Sequence, residues 1–130
     1  MDLGPCVLLW NYSVEEILKI DQFFQEIGAP QACVIEIDQG HLLVHEILFT
    51  DKRSREEFAC DEKIMLFYNT PADMVHTIMS KTKNTDLPRP IYAMITEQSI
   101  EWKFSYLAGH LIKERDFFMK KKKQQAYSER

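Results

Sequence analysis

Four short apolar runs punctuate the chain: Cys6–Trp10, Cys33–Ile37, Ile64–Tyr68 and Ile91–Ile95. Each has strand length and strand-favouring residues. The runs CVLLW and IMLFY are apolar throughout, without alternation. A strand covered on both faces reads this way, and double covering is typical of parallel sheets. Between the runs the apolar positions recur at helical spacing. Ser13, with Glu16 three residues on, forms a capping box, and Tyr12 and Ile17 take the two positions of a hydrophobic staple. Val14, Ile17, Leu18, Phe24 and Ile27 make one stripe. Gly28 then falls where a helix commonly ends, and Pro30 prevents continuation.

The second half returns in the same order. LLWNYSVEEI, residues 8–17, reappears as LFYNTPADMV, residues 66–75, so at an offset of 58 Asn11 falls on Asn69. Thr70 is expected to cap the helix, with Pro71 at its first position and Asp73 at its third. Val75, Ile78 and Met79 form the stripe, and Pro88 stands 58 residues after Pro30. A third helical segment starts near Leu42 and carries Leu43, Val44, Ile47 and Leu48. Its counterpart follows Ser99 with Trp102, Phe104, Leu107, Leu111 and Phe118. The chain thus reads β-α-β-α twice, as pseudo-repeats at about 5–52 and 63–119 within one domain, 1–119. The ungapped match favours duplication over two βαβ units that happen to look alike. Thr50–Lys63 is a charged helical extension or loop between the halves, and 120–130 a basic polar tail. The expected fold is a three-layer α/β sandwich. Its four-stranded, mainly parallel sheet has the order 2-1-3-4, with right-handed crossovers limiting the topology.

Composition narrows the class. At 130 residues and 45% hydrophobic, the chain is long enough for a core without staples. Three cysteines without CxxC spacing make no disulfide framework, and Cys6 and Cys33 read as small buried hydrophobes. No basic leader and no apolar run of membrane length is present, which implies a cytoplasmic protein without a membrane partner. The net charge is −4, but 120–130 hold five basic residues and one acidic, leaving −8 on the rest. An acidic body argues against nucleic acid. The run Lys120–Lys123 lacks interleaved aromatic residues and reads as solvated.

Ligands of α/β sheets bind outside the carboxyl ends of the strands, at a switch in strand order. With strands 1 and 3 adjacent, Asn11 and Asn69 are expected side by side at such a mouth. Asp38, His41, Thr96 and Glu97 follow the other two strands. The competing reading, which we favour, makes both asparagines turn residues bonded to their own loops. Glu15, Glu16 and Asp73 already occupy the first helical turns and would repel a phosphate. No glycine-rich phosphate loop exists, so no cofactor is expected. His41 and His45 have the spacing of helical metal ligands but lack the HExxH glutamate, and are read as solvated. No G-x-S-x-G elbow occurs, and no catalytic set can be assembled.

RPIYAMITEQSIEWKFSYLAGHLIKE, residues 89–114, has a strand ending at Thr96, a polar turn Glu97–Ser99, Trp102, and a helix with Leu107 and Leu111 that reaches Glu114. This pattern, together with IMLFYNTPADMV upstream, resembles the bacterial family catalogued as domain of unknown function 3783, over about 63–118. Gln98 and Ser99 stand where the family's turn would have Asn, and the first half matches far less well. The resemblance implies the fold and a bacterial origin, and nothing about mechanism. The reading is therefore a non-catalytic binding or regulatory module for a protein partner or small ligand. The alternative is an enzyme or metal-dependent protein using the strand-end cluster. A self-associating structural module, a homo-oligomer, is the third class.

Overall fold

The structure is a computed structural model and describes residues 4–128, with side chains described up to Lys122. Four strands, β1 (Cys6–Trp10), β2 (Gln31–Val34), β3 (Ile64–Tyr68) and β4 (Ile91–Met94), form one sheet in the order β2-β1-β3-β4. Helices α1 (Val14–Ile27) and α3 (Ala72–Lys83) cover one face, and α2 (Val44–Phe49) and α4 (Phe104–Ser128) the other. This is the expected three-layer α/β sandwich. β1 and β3 are buried along their length because they are central and covered twice. Val7, Leu9, Met65 and Phe67 pack under α1 and α3, and Leu8, Trp10, Ile64 and Leu66 under α2 and α4.

The pairs β1–β2 and β3–β4 are parallel, whereas β1–β3 is antiparallel, with Cys6 opposite Tyr68 and Trp10 opposite Ile64. The antiparallel register centres on Leu8 opposite Leu66. A second contact on the α2–α4 face is also antiparallel. Leu43 bridges Lys103, and the Val44 N–H donates to the Trp102 carbonyl at 2.8 Å. Both centres join residues 58 apart, 8 with 66 and 44 with 102.

Local chemistry explains most element ends. In α1 the Ser13 hydroxyl accepts from the Glu16 N–H at 3.2 Å, and the Glu16 carboxylate accepts from the Ser13 N–H at 2.8 Å. Gly28 adopts a left-handed φ of 69°, so a side chain there would be strained. The α3 start departs from expectation. Pro71, not Thr70, is the last non-helical residue, because its ψ of 147° keeps it extended. Thr70 instead donates its hydroxyl to the Tyr68 carbonyl at 3.1 Å. β2 begins two residues before the apolar run and ends at Val34. An edge strand needs backbone partners on one side only, so Gln31 serves opposite Cys6.

Thr50–Lys63 is a loop that crosses the α2–α4 face. Ser54 N–H donates to the Asp38 carbonyl, Phe58 N–H to the Ile37 carbonyl, and the Trp10 indole to the Cys60 carbonyl. Phe58 is inserted against Trp10 and Phe104, with ring centroids 5.3 and 6.0 Å away. The loop is held at its far end by Arg115 of α4, which grips Glu62 through two hydrogen bonds of 2.7 and 2.9 Å. α4 runs through the segment read as a polar tail, as far as Ser128; residues 129–130, and the side chains from Lys123 on, lie outside the described residues.

Candidate functional site

Antiparallel pairing of β1 with β3 separates what the sequence reading placed together. The carboxyl ends of β1 and β2 open on one edge of the sheet, and those of β3 and β4 on the opposite edge. Asn11 and Asn69 therefore stand at opposite ends, not side by side. The expectation of one shared mouth gives way to two separate edges, because strand direction, which periodicity does not encode, reverses at the centre.

Asn11 and Asn69 have φ of 67° and 51°, and among the described residues they are the non-glycine positions with positive φ. Asparagine tolerates this left-handed geometry, so each makes the sharp turn from strand to helix. Asn11 does more than turn. Its amide donates to the Asp61 carbonyl at 2.8 Å, fifty residues away, and its own carbonyl accepts from Lys63 Nζ at 2.7 Å. Its side chain thus ties the turn to the connecting loop, where a bond within its own loop was expected. Asn11→Asp is expected to lower stability by about 1 kcal/mol, since a carboxylate cannot donate to that carbonyl, and Asn69→Asp to cost much less. Urea titrations of both variants check this; equal losses would contradict it.

Lys63 also donates to Glu16 Oε1 at 2.7 Å and lies over the Tyr12 ring, 4.9 Å from its centroid. Burial pushes the Glu16 carboxyl up, but the bonds from Lys63 and Ser13 outweigh it and hold the carboxyl below the ordinary range. Its folded pKa is thus depressed. The stability it contributes is present above the unfolded carboxylate range, about pH 4, and is lost as pH falls through the folded value. Lys63→Met is expected to move the midpoint of acid unfolding to higher pH, as followed by circular dichroism; an unmoved midpoint would show the pair to be inert.

The remaining site candidates divide in the same way. Asp38, in a single 3-10 turn at Ile37–Gln39, is paired with Arg53 at 2.9 Å. His41 lies in the turn that follows, its ring edge-on to Phe58 at 5.4 Å. His45 is on α2, 4.0 Å from Glu101. The two histidines therefore do not share a helix. At the opposite edge the Thr96 hydroxyl accepts from the Ser99 N–H at 3.0 Å, while Ser99 Oγ accepts from the Thr96 N–H at 2.8 Å. Thr96 is thereby committed to its turn, and Glu97 is exposed beside it. Among the described residues, no group of three or more His, Cys, Asp or Glu is placed to hold a metal.

A cleft of about 500 Å³ lies at the β1–β2 edge, under the connecting loop. Val34, Ile37 and Phe58 give it apolar walls, and Glu36, Glu57 and Asp61 bring three carboxylates to it. The sequence reading included Asn11 from this cleft and missed the other polar residues. Glu57 and Asp61 come from the connecting loop, and no local pattern signals that the loop folds back over the strand ends. Also missed was the pairing of Cys6 with Cys33 on neighbouring strands. The interaction of the two neighbouring thiols raises that of Cys6, with burial adding to it, and lowers that of Cys33. Both cysteines are free. Only the register of β1 on β2 brings them together.

The fold and its edges define a small α/β sandwich whose strand-end polar groups mostly hold turns. Residues 63–118, a segment of the chain, match the family model described as Domain of unknown function (DUF3783). No curated protein and no solved structure matches the chain.

Proposed function

We propose that this protein is a non-catalytic binding module that engages a cationic ligand, or a basic segment of a partner, in the cleft at the β1–β2 edge. The observation that supports this reading is the division of labour among its polar groups. Asn11, Asp38 and Lys63 are taken up by Asp61, Arg53 and Glu16, whereas Glu36, Glu57 and the Asp61 carboxylate make no ion pair among the described residues. Uncompensated carboxylates over apolar walls favour a cation with an apolar stem. Native mass spectrometry of the protein from its own host is expected to show a retained ligand or subunit that Glu36→Gln/Glu57→Gln releases. Retention unaffected by that change, or substrate turnover by the purified protein, would displace the reading.

The same reading treats the halves as a duplication within a bacterial, cytoplasmic protein. The offset of 58 at both antiparallel centres supports the first part, and two adjacent thiols left free are in keeping with a reducing compartment. Superposing 5–52 on 63–119 in an experimental structure should then pair Asn11 with Asn69 and Pro30 with Pro88; a best fit on other pairs would remove it.

A further inference from the structure

A second hollow, of about 460 Å³, lies on the opposite face of the sheet, between α3, the loop before β4 and β4 itself. His76, Ser80 and Lys83 follow one another at helical spacing and present one face of α3 to it. Arg89 enters from the loop. None of the described lining residues is a carboxylate. Lys83 and Arg89 are exposed and make no ion pair among the described residues. The neighbouring carboxylate of Asp86 is engaged instead with Lys19 of α1, at 3.2 Å. In a body of net −8, two uncompensated cations at one concave site make a local positive field.

The floor of the hollow is apolar. Leu87 is buried, and the Tyr92 ring stacks on Phe67 at 6.1 Å with an interplanar angle of 15°. Nearby, the Tyr12 hydroxyl is buried without a hydrogen-bond partner, and both its burial and the proximity of Tyr92 oppose its ionisation. At the offset of 58 the two halves differ around this space. Thr82, Lys83 and Arg89 correspond to Phe24, Gln25 and Gln31. Phe24 is buried in the core under α1, whereas Thr82 turns its hydroxyl to the Ile78 carbonyl at 2.7 Å. At these positions the second half carries a smaller side chain where the first has a ring, and cations where the first has two neutral amides.

From this geometry we infer that the hollow binds a small organic anion with a flat apolar body. Lys83 and Arg89 hold the charged head, and Leu87 and Tyr92 carry the body. The planar fork of Arg89 suits a carboxylate or a phosphate, and the volume falls in the range of small-molecule sites. The inference is independent of the acidic cleft, which lies at a different edge and takes the opposite charge.

The test uses the full chain, labelled with nitrogen-15, titrated at low salt with phenyl phosphate, benzoate and inorganic phosphate. Saturable shifts from phenyl phosphate or benzoate, confined to the amides of 76–92, are expected, with inorganic phosphate about tenfold weaker or more. Lys83→Gln and Arg89→Gln, which restore the residues found 58 positions earlier at exposed sites, are each expected to weaken binding about tenfold. Lys113→Gln, exposed on α4 across the sheet, should bind as the unaltered chain does. The inference is overturned by shifts from neither organic anion, by shifts scattered over the surface, by wild-type affinity in both glutamine variants, or by inorganic phosphate binding as tightly as the aryl compounds.

Discussion

Phe104→Ala is expected to lower the unfolding free energy by about 3–5 kcal/mol, the range for removing a buried aromatic ring. Phe104 opens α4, is fully buried, and lies 5.1 Å from the Trp10 ring centroid and 6.0 Å from that of Phe58. It thus joins β1, α4 and the connecting loop at one point. Its backbone N–H donates to the Leu42 carbonyl at 2.9 Å, which ties the start of α4 to the segment before α2. Removing the ring leaves a cavity that three elements would have to move together to close. Phe118→Ala supplies the control, since that ring is 62% exposed and its loss should stay within about 0.5 kcal/mol. Urea unfolding of both variants is the measurement, and similar losses would mean that this aromatic cluster is not the organising contact of the α2–α4 face.

The second large effect is expected at Gly40. Its φ of −62° and ψ of −26° are open to any residue, so backbone freedom is not why glycine stands there. The reason is steric. A Cβ at this position would meet the Phe58 side chain, with Cγ and Cδ2 only 2.8 Å away. Gly40 is further fixed by the Ser105 N–H, which donates to its carbonyl at 2.8 Å, so the backbone cannot simply retreat. Gly40→Ala is expected to cost about 1–3 kcal/mol by overpacking. In a Phe58→Gly background, which removes the Phe58 Cβ as well as the ring, the same change should cost far less, giving a coupling comparable to the single-site loss. Additive losses in the double-mutant cycle would show that Phe58 is not what excludes a side chain at Gly40.

These two residues show where sequence reading stops. Phe104 was legible as one member of a helical stripe, but its position 58 residues earlier is Glu46, so the repeat pattern gives no warning of its weight. Gly40 carries no turn signature. Its partner Phe58 sits in a stretch so charged that it reads as a solvated linker. The linker becomes part of the core because Phe58 has a gap to fill beside Trp10 and Phe104, and that gap exists only after the sheet and α4 have assembled. The acidic cleft follows from the same event, since Glu57 and Asp61 flank the inserted ring on either side.

The candidate site was legible one residue at a time and not as an arrangement. Asn11 and Asn69 were identifiable as turn-formers because asparagine accommodates a left-handed backbone, and both occupy one. That Asn11 also reaches the Asp61 carbonyl depends on where the connecting loop returns. The cationic hollow was hidden for a related reason. His76, Ser80 and Lys83 are an ordinary polar face of a helix until Arg89 arrives from the following loop and Tyr92 from β4.

The chain's own order of residues determined the number and sequence of strands and helices, the capping box of α1, and the apolar character of β1 and β3. Each of these depends on interactions within a few residues, or on burial that periodicity reports directly. The tertiary structure alone decided that β1 and β3 run in opposite directions, that Phe58 enters the core, and that Cys6 meets Cys33. Strand direction across the centre has no local signature. An apolar strand buried on both faces is indifferent to the direction of its neighbour, and a connection as long as that from β1 to β3 permits either. The choice is made by the packing of the whole, and it sends the two asparagines to opposite edges of the sheet.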